Sequence, residues 1–196
     1  MLLFSALLTP AHAVVPLTPR PTGAKRMSAT VTTKGAPITT EDFKNAILDC
    51  DHYPLNASYM GVKALLECHT LAKQDGYTII YQRTGGNSFI SSRQYVIALK
   101  VVEQSDAKVR IEWDLVQHSC VDGTCTGPFA SALNAHTDAV YTPGNTGGWT
   151  YDKTAGTITY WAQSDPGGTV PGWLVSQEAV TAFPLELLKT RWGVTP

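Results

Sequence analysis

The sequence predicts an α+β fold: a curved antiparallel β-sheet of about seven strands wraps around a long C-terminal α-helix, and a short helix follows the first strand. Two observations support this fold class. Apolar residues recur with a period of two through the middle of the chain, and they recur at helical spacing near its beginning and at its end. With 196 residues, of which 43% are hydrophobic, the chain is long enough to bury the core that such a fold requires.

The charge of the chain excludes some functions. A formal net charge of −1 does not supply the clustered Lys and Arg residues with which proteins bind nucleic acid. No apolar run reaches the roughly 18 residues that a membrane-spanning helix needs. We therefore expect no nucleic-acid partner and no membrane channel.

The N-terminus has the pattern of a processing signal. Residues 2–8 form a short apolar run, which leads into the small-x-small sequence Ala11-His12-Ala13 that a signal peptidase accepts, although no Lys or Arg precedes the run. We therefore predict a signal peptide at residues 1–13 and a secreted or periplasmic protein; the alternative is an ordinary apolar N-terminus. Residues 14–26 contain three prolines and are expected to form an extended, solvated linker. The folded domain is then residues 27–196.

The four cysteines are consistent with an oxidising compartment. Cys120 and Cys125 flank Val-Asp-Gly-Thr, whose Asp-Gly pair favours a tight turn that brings the two cysteines within disulfide distance. We predict a disulfide between them. For Cys50 and Cys68 we expect two buried apolar side chains, and a bridge between them remains an alternative. The alternative to the predicted bridge is half of a metal site, with His118 and His136 as the nearby ligands.

The first elements are a strand and a helix. Residues 27–33 alternate weakly and predict the first strand. Thr39 and Thr40 are candidate N-caps with acidic residues directly after them. The apolar residues that follow, from Phe43 to Cys50, have helical spacing, and Pro54 is expected to end the helix.

Period-two alternation begins at Gly61 and resumes at Tyr77. The clearest alternation runs from Tyr95 to Val101 and from Val109 to Leu115, with apolar residues on one face and polar residues on the other. Residues 117–135 read as irregular. Three more strands are predicted at residues 136–141, 148–152 and 157–163.

A long amphipathic helix is predicted to close the chain. Trp173, Val180, Phe183 and Leu187 fall on one helical face. Pro184 should kink or restart this helix. A single long helix over a curved sheet is expected to leave a gap between them, and such gaps become ligand cavities.

One segment resembles a known family. The sequence before the C-terminal helix is Asp165-Pro166-Gly167-Gly168-Thr169-Val170-Pro171-Gly172-Trp173-Leu174-Val175, and its glycines allow the positive φ angles that turn a strand towards a helix. This segment resembles the signature of START lipid-transfer domains. Two weaker likenesses lie upstream, at Ser92-Arg93-Gln94-Tyr95-Val96, where Gln94 replaces the family's acidic residue, and at residues 49–55. The resemblance covers about residues 27–192. Because the family's additional N-terminal helix is not recognisable, the match extends to the wider helix-grip (Bet v 1-like, SRPBCC) superfamily.

The resemblance implies binding of a lipid or other hydrophobic small molecule in an internal cavity closed by the C-terminal helix. It implies no cofactor and no metal, and we expect a monomer that contacts membranes transiently. Positions that match the buried acid and base of some family members fall near Gln82 and Leu99, which are uncharged, so we do not expect such a pair to hold a sterol hydroxyl. The candidate lining residues, each of which could equally be ordinary core, are Tyr81, Tyr95, Ile97, Leu99, Ile111, Trp113, Leu115, Trp161, Leu174, Val180 and Phe183.

Two alternatives to lipid binding remain. Related helix-grip proteins include polyketide cyclases and dehydratases, whose chemistry needs an acid or base inside the cavity. The candidates for this role are His69, His118, His136 and Asp114. The other alternative is an interaction module with a filled interior and no ligand. We favour binding over catalysis because no motif for nucleophilic, phosphate or metal chemistry is present.

Overall fold

The computed structural model describes residues 15–21, 24–33, 35–55, 57–59, 62–85, 91–168 and 177–194. A one-turn 3-10 helix, Cys50–His52, follows the first α-helix. The other elements, in chain order, are β1 (Arg26–Thr32), α1 (Thr40–Leu48), β2 (Ser58–Tyr59), β3 (Val62–Lys63), β4 (Glu67–Gln74), β5 (Tyr77–Thr84), β6 (Arg93–Gln104), β7 (Lys108–Leu115), β8 (Ser119–Val121), β9 (Thr124–Thr126), α2 (Ala130–Asn134), β10 (Val140–Tyr141), β11 (Gly144–Asp152), β12 (Thr157–Asp165) and α3 (Gln177–Trp192).

Eight strands form one large sheet. Its spatial order is β1-β12-β11-β7-β6-β5-β4, with β10 beside the first residues of β6. The neighbouring strands are antiparallel except for β10 and β6. Register shifts in the β4–β5 and β6–β7 pairs are bulges, which bend strands and increase their twist. The predicted antiparallel sheet of about seven strands is confirmed. The strand predicted at residues 136–141 is shortened to β10, which pairs with β6 in parallel.

The residues at its two ends set the length of α1, and α3 extends through a proline. The Thr39 hydroxyl caps α1 by accepting a hydrogen bond of 3.0 Å from the Asp42 N–H, as predicted. The helix ends at Leu48, well before Pro54, because the backbone leaves helical geometry at Asp49 and enters the 3-10 turn. α3 continues through Pro184, so the expected restart does not occur. Within the described ranges, no helix is long and apolar enough to cross a bilayer.

The sheet separates two buried clusters. We call the face that α1 and α3 cover the inner face and the opposite face the outer face. On the inner face, Phe43 of α1 and Leu187 of α3 pack with the inward side chains of the central strands. The buried residues of the outer cluster are Val15, Ile79, Tyr81, Val96, Ala98, Val116, Cys125 and Leu133. Both faces are therefore buried over β5 and β6, where the expectation of one dry and one wet face is wrong. On β7 the expectation holds, because Arg110, Glu112 and Asp114 stay partly exposed on the outer face.

The segment before β1 packs against the outer face. Val15 is only 6% exposed, and Leu17 forms a β-bridge with Val116. Arg20 forms two 3.2 Å ion pairs with carboxylates of β7. The expectation of a solvated segment is therefore wrong at Val15, because backbone pairing beyond the end of β7 holds the chain against the sheet. The predicted signal peptide at residues 1–13 lies outside the described residues.

Two other regions differ from the sequence-based expectation. The alternation that begins at Gly61 predicts one strand there, but the main strand is β4, which begins at Glu67 after the small β2–β3 hairpin. Residues 117–135, which read as irregular, contain the β8–β9 hairpin and α2. These short elements escape detection because each is too short to show a period.

Both pairs of cysteines form disulfides. Cys120 and Cys125 are opposite each other in the β8–β9 hairpin with Cα atoms 4.0 Å apart, as the turn between them predicts. Cys50 pairs with Cys68, with Cα atoms 5.5 Å apart, and this bridge joins the 3-10 turn after α1 to β4. The bridge that the sequence left as an alternative is therefore formed. Two disulfides are typical of proteins in an oxidising compartment.

Candidate functional site

Trp113 lies at the centre of the inner face, where its indole reaches from β7 over β11. Its cross-strand partner is Gly147, and a Cβ atom at this glycine would lie 2.0 Å from Cζ2 of the indole. The ring can occupy its position only because residue 147 has no side chain. Tyr160 packs beside it, with ring centroids 5.7 Å from Trp113 and 4.7 Å from Trp149. The centre of the inner face is therefore an aromatic surface.

Asn145 places a neutral polar group on this surface. Its side chain is 7% exposed, and its Oδ1 accepts a hydrogen bond of 3.0 Å from Nε1 of Trp113. The same side chain lies beside the Tyr95 hydroxyl, and this interaction lowers the pKa of that phenol. Asn145 thus links the indole of β7 to β11 and lies beside a phenol of β6.

The phenols on this side of the sheet stay uncharged. Burial raises the pKa of Tyr95 to about 12, although the hydrogen bond from Asn145 offsets part of the rise. Burial also raises the pKa of Tyr160, and the nearby Tyr95 and Tyr53 phenols add to that effect. Tyr53 donates its hydroxyl hydrogen to the Ile47 carbonyl of α1. At neutral pH, these phenols are donors and acceptors of hydrogen bonds without charge.

Some predicted lining residues are buried on the inner face and others are partly accessible. Leu99, Trp113 and Leu115 belong to the inner cluster and are 3%, 6% and 1% exposed. The neighbouring Ile97 and Ile111 belong to the same cluster and are 3% and 0% exposed. Tyr95, Val180 and Phe183 pack against the same cluster but keep part of their surface accessible, and so does Tyr160. Phe183 of α3 meets Tyr53 at a centroid distance of 5.0 Å. These four side chains are the partly accessible part of the inner face.

Two predicted lining residues lie on the other face. Tyr81 pairs with Val96 in the outer cluster and donates a hydrogen bond of 3.1 Å to Oε1 of Gln94. Trp161 pairs with Gly148, next to the inward Gly147, and stacks under the Arg26 guanidinium at 4.0 Å. Neither can line an inner cavity, because side chains alternate between the faces of a strand and these two have outward parity. Leu174 lies outside the described residues.

The candidate catalytic groups are also remote from the inner face. His69 and His136 stack near the Tyr81 ring, at 6.4 and 6.3 Å. Asp114 has outward parity beside Trp113 and pairs with Arg20. His118 lies beyond β7, at the Val116 carbonyl. The cyclase alternative requires an acid or base inside the cavity, and these four residues do not supply one.

Two of the three sequence segments that resemble the family meet in space. Nε of Arg93, at the start of β6, donates a hydrogen bond of 2.9 Å to the Pro166 carbonyl, and Nη2 reaches the Gly167 carbonyl at 3.5 Å. Gly167 and Gly168 both have positive φ, as expected. A Cβ at Gly167 would lie 2.7 Å from the Tyr141 carbonyl. Arg93 therefore fixes the turn that leads from β12 towards the C-terminal helix.

Gln94 explains one departure from the family pattern. It is 2% exposed, and its Nε2 donates hydrogen bonds to the carbonyls of His136 and Ala139 at 2.9 and 3.3 Å. A carboxylate has no hydrogen to donate at these positions. The amide therefore fits the loop that precedes β10.

Sequence reasoning missed Asn145, Tyr160 and Tyr53. Asn145 lies between the strands predicted at residues 136–141 and 148–152, but β11 already begins at Gly144. Tyr160 lies in a predicted strand, on the opposite face from Trp161. Assigning that face of the strand to the inner side would have identified Tyr160 as a lining residue. Tyr53 follows the 3-10 turn and carries no periodic signal.

A polar, open cleft lies away from the centre of the inner face. This surface cleft of about 640 Å³ lies between α1, β4 and the end of α3, and its lining residues include Asp42, Asp49, Asp51, Lys73 and Arg191. Its charged lining suits water rather than an apolar molecule. The inner face remains the candidate site.

Comparison with solved structures identifies the fold. The STAR-related lipid transfer protein from Xanthomonas axonopodis matches 84% of this chain and 82% of its own, with 18% sequence identity and a TM-score of 0.54. Human STARD10 matches 81% of this chain with 14% identity and a TM-score of 0.52, and the match spans 57% of that chain. No protein-family model matches the sequence, and no curated protein resembles it significantly. These likenesses confirm the START-like helix-grip fold that the segment at residues 165–175 implied.

Proposed function

Because the chain has a START-like helix-grip fold, we propose that it binds one lipid or other hydrophobic small molecule between the inner face of the sheet and the helices. The observation that carries this proposal is the partial accessibility of Tyr95, Tyr160, Val180 and Phe183 beside a buried apolar cluster. Apolar surface left accessible there gains about 25 cal/mol per Å² when a ligand covers it. The proposal includes transient contact with a membrane, where a monomeric chain would take up or release its ligand.

The chemistry of the inner face favours binding over catalysis. From Tyr95 to Val101 on β6, and on β7, β11 and β12, the inward side chains are apolar, aromatic or neutral polar. Such a surface can hold an apolar molecule without forming or breaking bonds. The bacterial structural neighbour is described as a lipid transfer protein.

The test is binding of the environment-sensitive dye Nile red, together with native mass spectrometry of the purified protein. Val180→Trp fills accessible space beneath α3 and should weaken dye binding at least tenfold. Val102→Trp makes the same change at a side chain that is 39% exposed on β6, and it should have no effect. A protein that carries no apolar molecule and binds no dye would contradict the proposal and support an interaction module with a filled interior.

We also propose that the chain is exported after removal of residues 1–13. The two disulfides support an oxidising destination, outside the cell or in a periplasm. N-terminal sequencing of protein from its native compartment should begin at Val14. A mature chain that retains residues 1–13 would contradict this proposal.

A further inference from the structure

The polar cleft between α1, β4 and the end of α3 has the size of a ligand site. Its volume of about 640 Å³ lies within the range of about 300–1,000 Å³ that is typical of small-molecule sites. Its lining does not include the partly accessible residues of the inner face. The polar and charged side chains that line the cleft are Asp42, Asn45, Asp49, Asp51, Thr70, Lys73 and Arg191.

The charges of the cleft oppose one another across its walls. Nη2 of Arg191, on α3, lies 3.4 Å from Oδ2 of Asp49 at the end of α1. Oδ1 of Asp51 accepts a hydrogen bond of 3.2 Å from the Thr70 N–H of β4, the strand that also carries Lys73. An ion of either sign would therefore meet a like charge as well as an opposite one. A neutral ligand meets no such repulsion.

The cleft offers both donors and acceptors that the fold leaves available. Lys73 forms no ion pair within the described ranges. Arg191 uses Nη2 for its bonds to Asp49 and the His52 carbonyl, and its other nitrogens have further hydrogens. A carboxylate has about four acceptor positions, and Asp42 uses one of them for an N-cap hydroxyl. Because a hydroxyl group both donates and accepts, a molecule rich in hydroxyl groups can bond to both sets.

Trp192 gives the cleft an apolar surface in a fixed orientation. Its ring stacks on the fully buried Phe43, with centroids 5.6 Å apart and planes inclined by 19°. The rest of the indole stays partly accessible and lines the cleft. An aromatic surface among donors and acceptors complements a sugar ring, which has apolar C–H faces and hydroxyl groups around its edge.

We propose that this cleft binds a neutral carbohydrate, with one sugar ring against Trp192 and its hydroxyl groups bonded to the polar side chains of α1, β4 and α3. This is a second ligand site. It does not depend on the proposed binding of an apolar molecule at the inner face, because the two sites differ in lining and in the chemistry of the ligand.

The test is a glycan array that carries neutral, sialylated and sulfated glycans, followed by isothermal titration calorimetry with the neutral glycan that binds best. Neutral glycans should bind more tightly than their sialylated and sulfated counterparts. Lys73→Ala and Asn45→Ala should each weaken binding about fivefold, the value of one hydrogen bond of about 1 kcal/mol. Trp192→Leu keeps an apolar side chain against Phe43 but removes the aromatic surface, and it should weaken binding at least tenfold.

The matched control is Lys153→Ala, which removes an exposed lysine from the turn between β11 and β12 and should leave glycan binding unchanged. Lys73→Ala carries the test alone if Trp192→Leu does not fold, since Lys73 is an exposed side chain. Absence of binding to every glycan, a preference for charged glycans, or equal binding by Lys73→Ala and the unmodified protein would overturn this proposal. Nile red binding, which tests the inner face, should be unchanged in Lys73→Ala and Asn45→Ala.

Discussion

On the inner face of the sheet, α1 and α3 cover aromatic rings, aliphatic side chains and neutral polar groups such as Asn145. On the outer face, the segment around Val15, the β8–β9 hairpin and α2 cover a cluster of similar burial, but its border is charged. There Glu67 forms ion pairs with Arg83 and His136, and Arg20 forms ion pairs with two carboxylates of β7. The two faces are alike in burial and differ in the chemistry of their polar groups.

This difference shows which observations identify a binding face. Burial alone does not, because both faces are buried over β5 and β6. On the outer face, Tyr81 donates to Gln94, and Gln94 donates to two carbonyls. The border of that face carries paired charges, whereas the polar groups of the inner face, such as Asn145, are neutral. A face of apolar and neutral polar side chains suits an apolar ligand better than a face bordered by charges.

The largest expected effect comes from a pair of adjacent glycines on β11, one for each face. Gly147→Ala would place a Cβ 2.0 Å from the buried Trp113 ring, and it should destabilise the fold by about 3 kcal/mol because the indole must leave its position. Gly148→Ala would place a Cβ 2.7 Å from Nε1 of Trp161, which stacks on Arg26, and 3.0 Å from the Ile111 carbonyl, so its clashes are milder than the one at Gly147. We expect a cost of about 1 kcal/mol there.

Urea unfolding of both variants measures this difference, and near-ultraviolet circular dichroism reports whether the indole environment changes. Gly147→Ala should also lose Nile red binding, since the displaced ring enters the accessible space. Equal costs for the two variants would show that the inner face repacks as easily as the outer one, which would break the comparison.

The element order and the fold class were predictable from the sequence, but the assignment of residues to faces was not. Thr39 caps α1, Gly167 and Gly168 turn the chain, and Cys120 meets Cys125, because each of these features depends on local chemistry. Alternation on a strand tells which residues share a face. It does not tell which of the two faces points to the inner cluster, and the more apolar face is normally assigned to it.

That rule failed for Tyr81 and Trp161 because their faces are also covered. The cover comes from residues far away in sequence: Val15 and Leu133 over Tyr81, and Arg26 over Trp161. The hydrogen bond between Trp113 and Asn145 was equally unpredictable, since it joins two strands whose register only the folded sheet sets. Long-range cover and register are therefore what the sequence could not supply.

The two disulfides allow the inner and outer faces to be compared through covalent links. We expect their removal to have an effect on stability between the largest and the smallest predicted here. Removing the Cys50–Cys68 bridge, which closes an 18-residue separation beside the inner cluster, should cost about 3 kcal/mol. Removing the Cys120–Cys125 bridge, which closes a separation of 5 on the outer side, should cost about 2 kcal/mol. Double alanine variants and urea unfolding measure both values. A larger cost for the hairpin bridge would show that the outer cover is held more firmly than loop length implies.

The smallest effect concerns the charged border of the outer face. Burial raises the pKa of Glu67, but the hydrogen bond and charge of Arg83 and the charge of His136 outweigh it, so that the pKa is lowered overall. A carboxyl group whose pKa is lower in the folded state stabilises the fold above its unfolded value of about 4, and this contribution is lost as the pH falls through the folded pKa.

Glu67→Gln should therefore reduce stability at neutral pH by about 1 kcal/mol or less, a value limited by the partial exposure of the pair. The variant and the unmodified protein should converge in stability as the pH falls through the lowered pKa of Glu67, because both are then uncharged at this position. Glu103→Gln, which removes an exposed carboxylate that faces Lys108 and Arg110, is the matched control. Nile red binding should stay unchanged at neutral pH in both variants, since the altered charges lie across the sheet from the inner face. A loss of dye binding in Glu67→Gln alone would show that the two faces are coupled through β5.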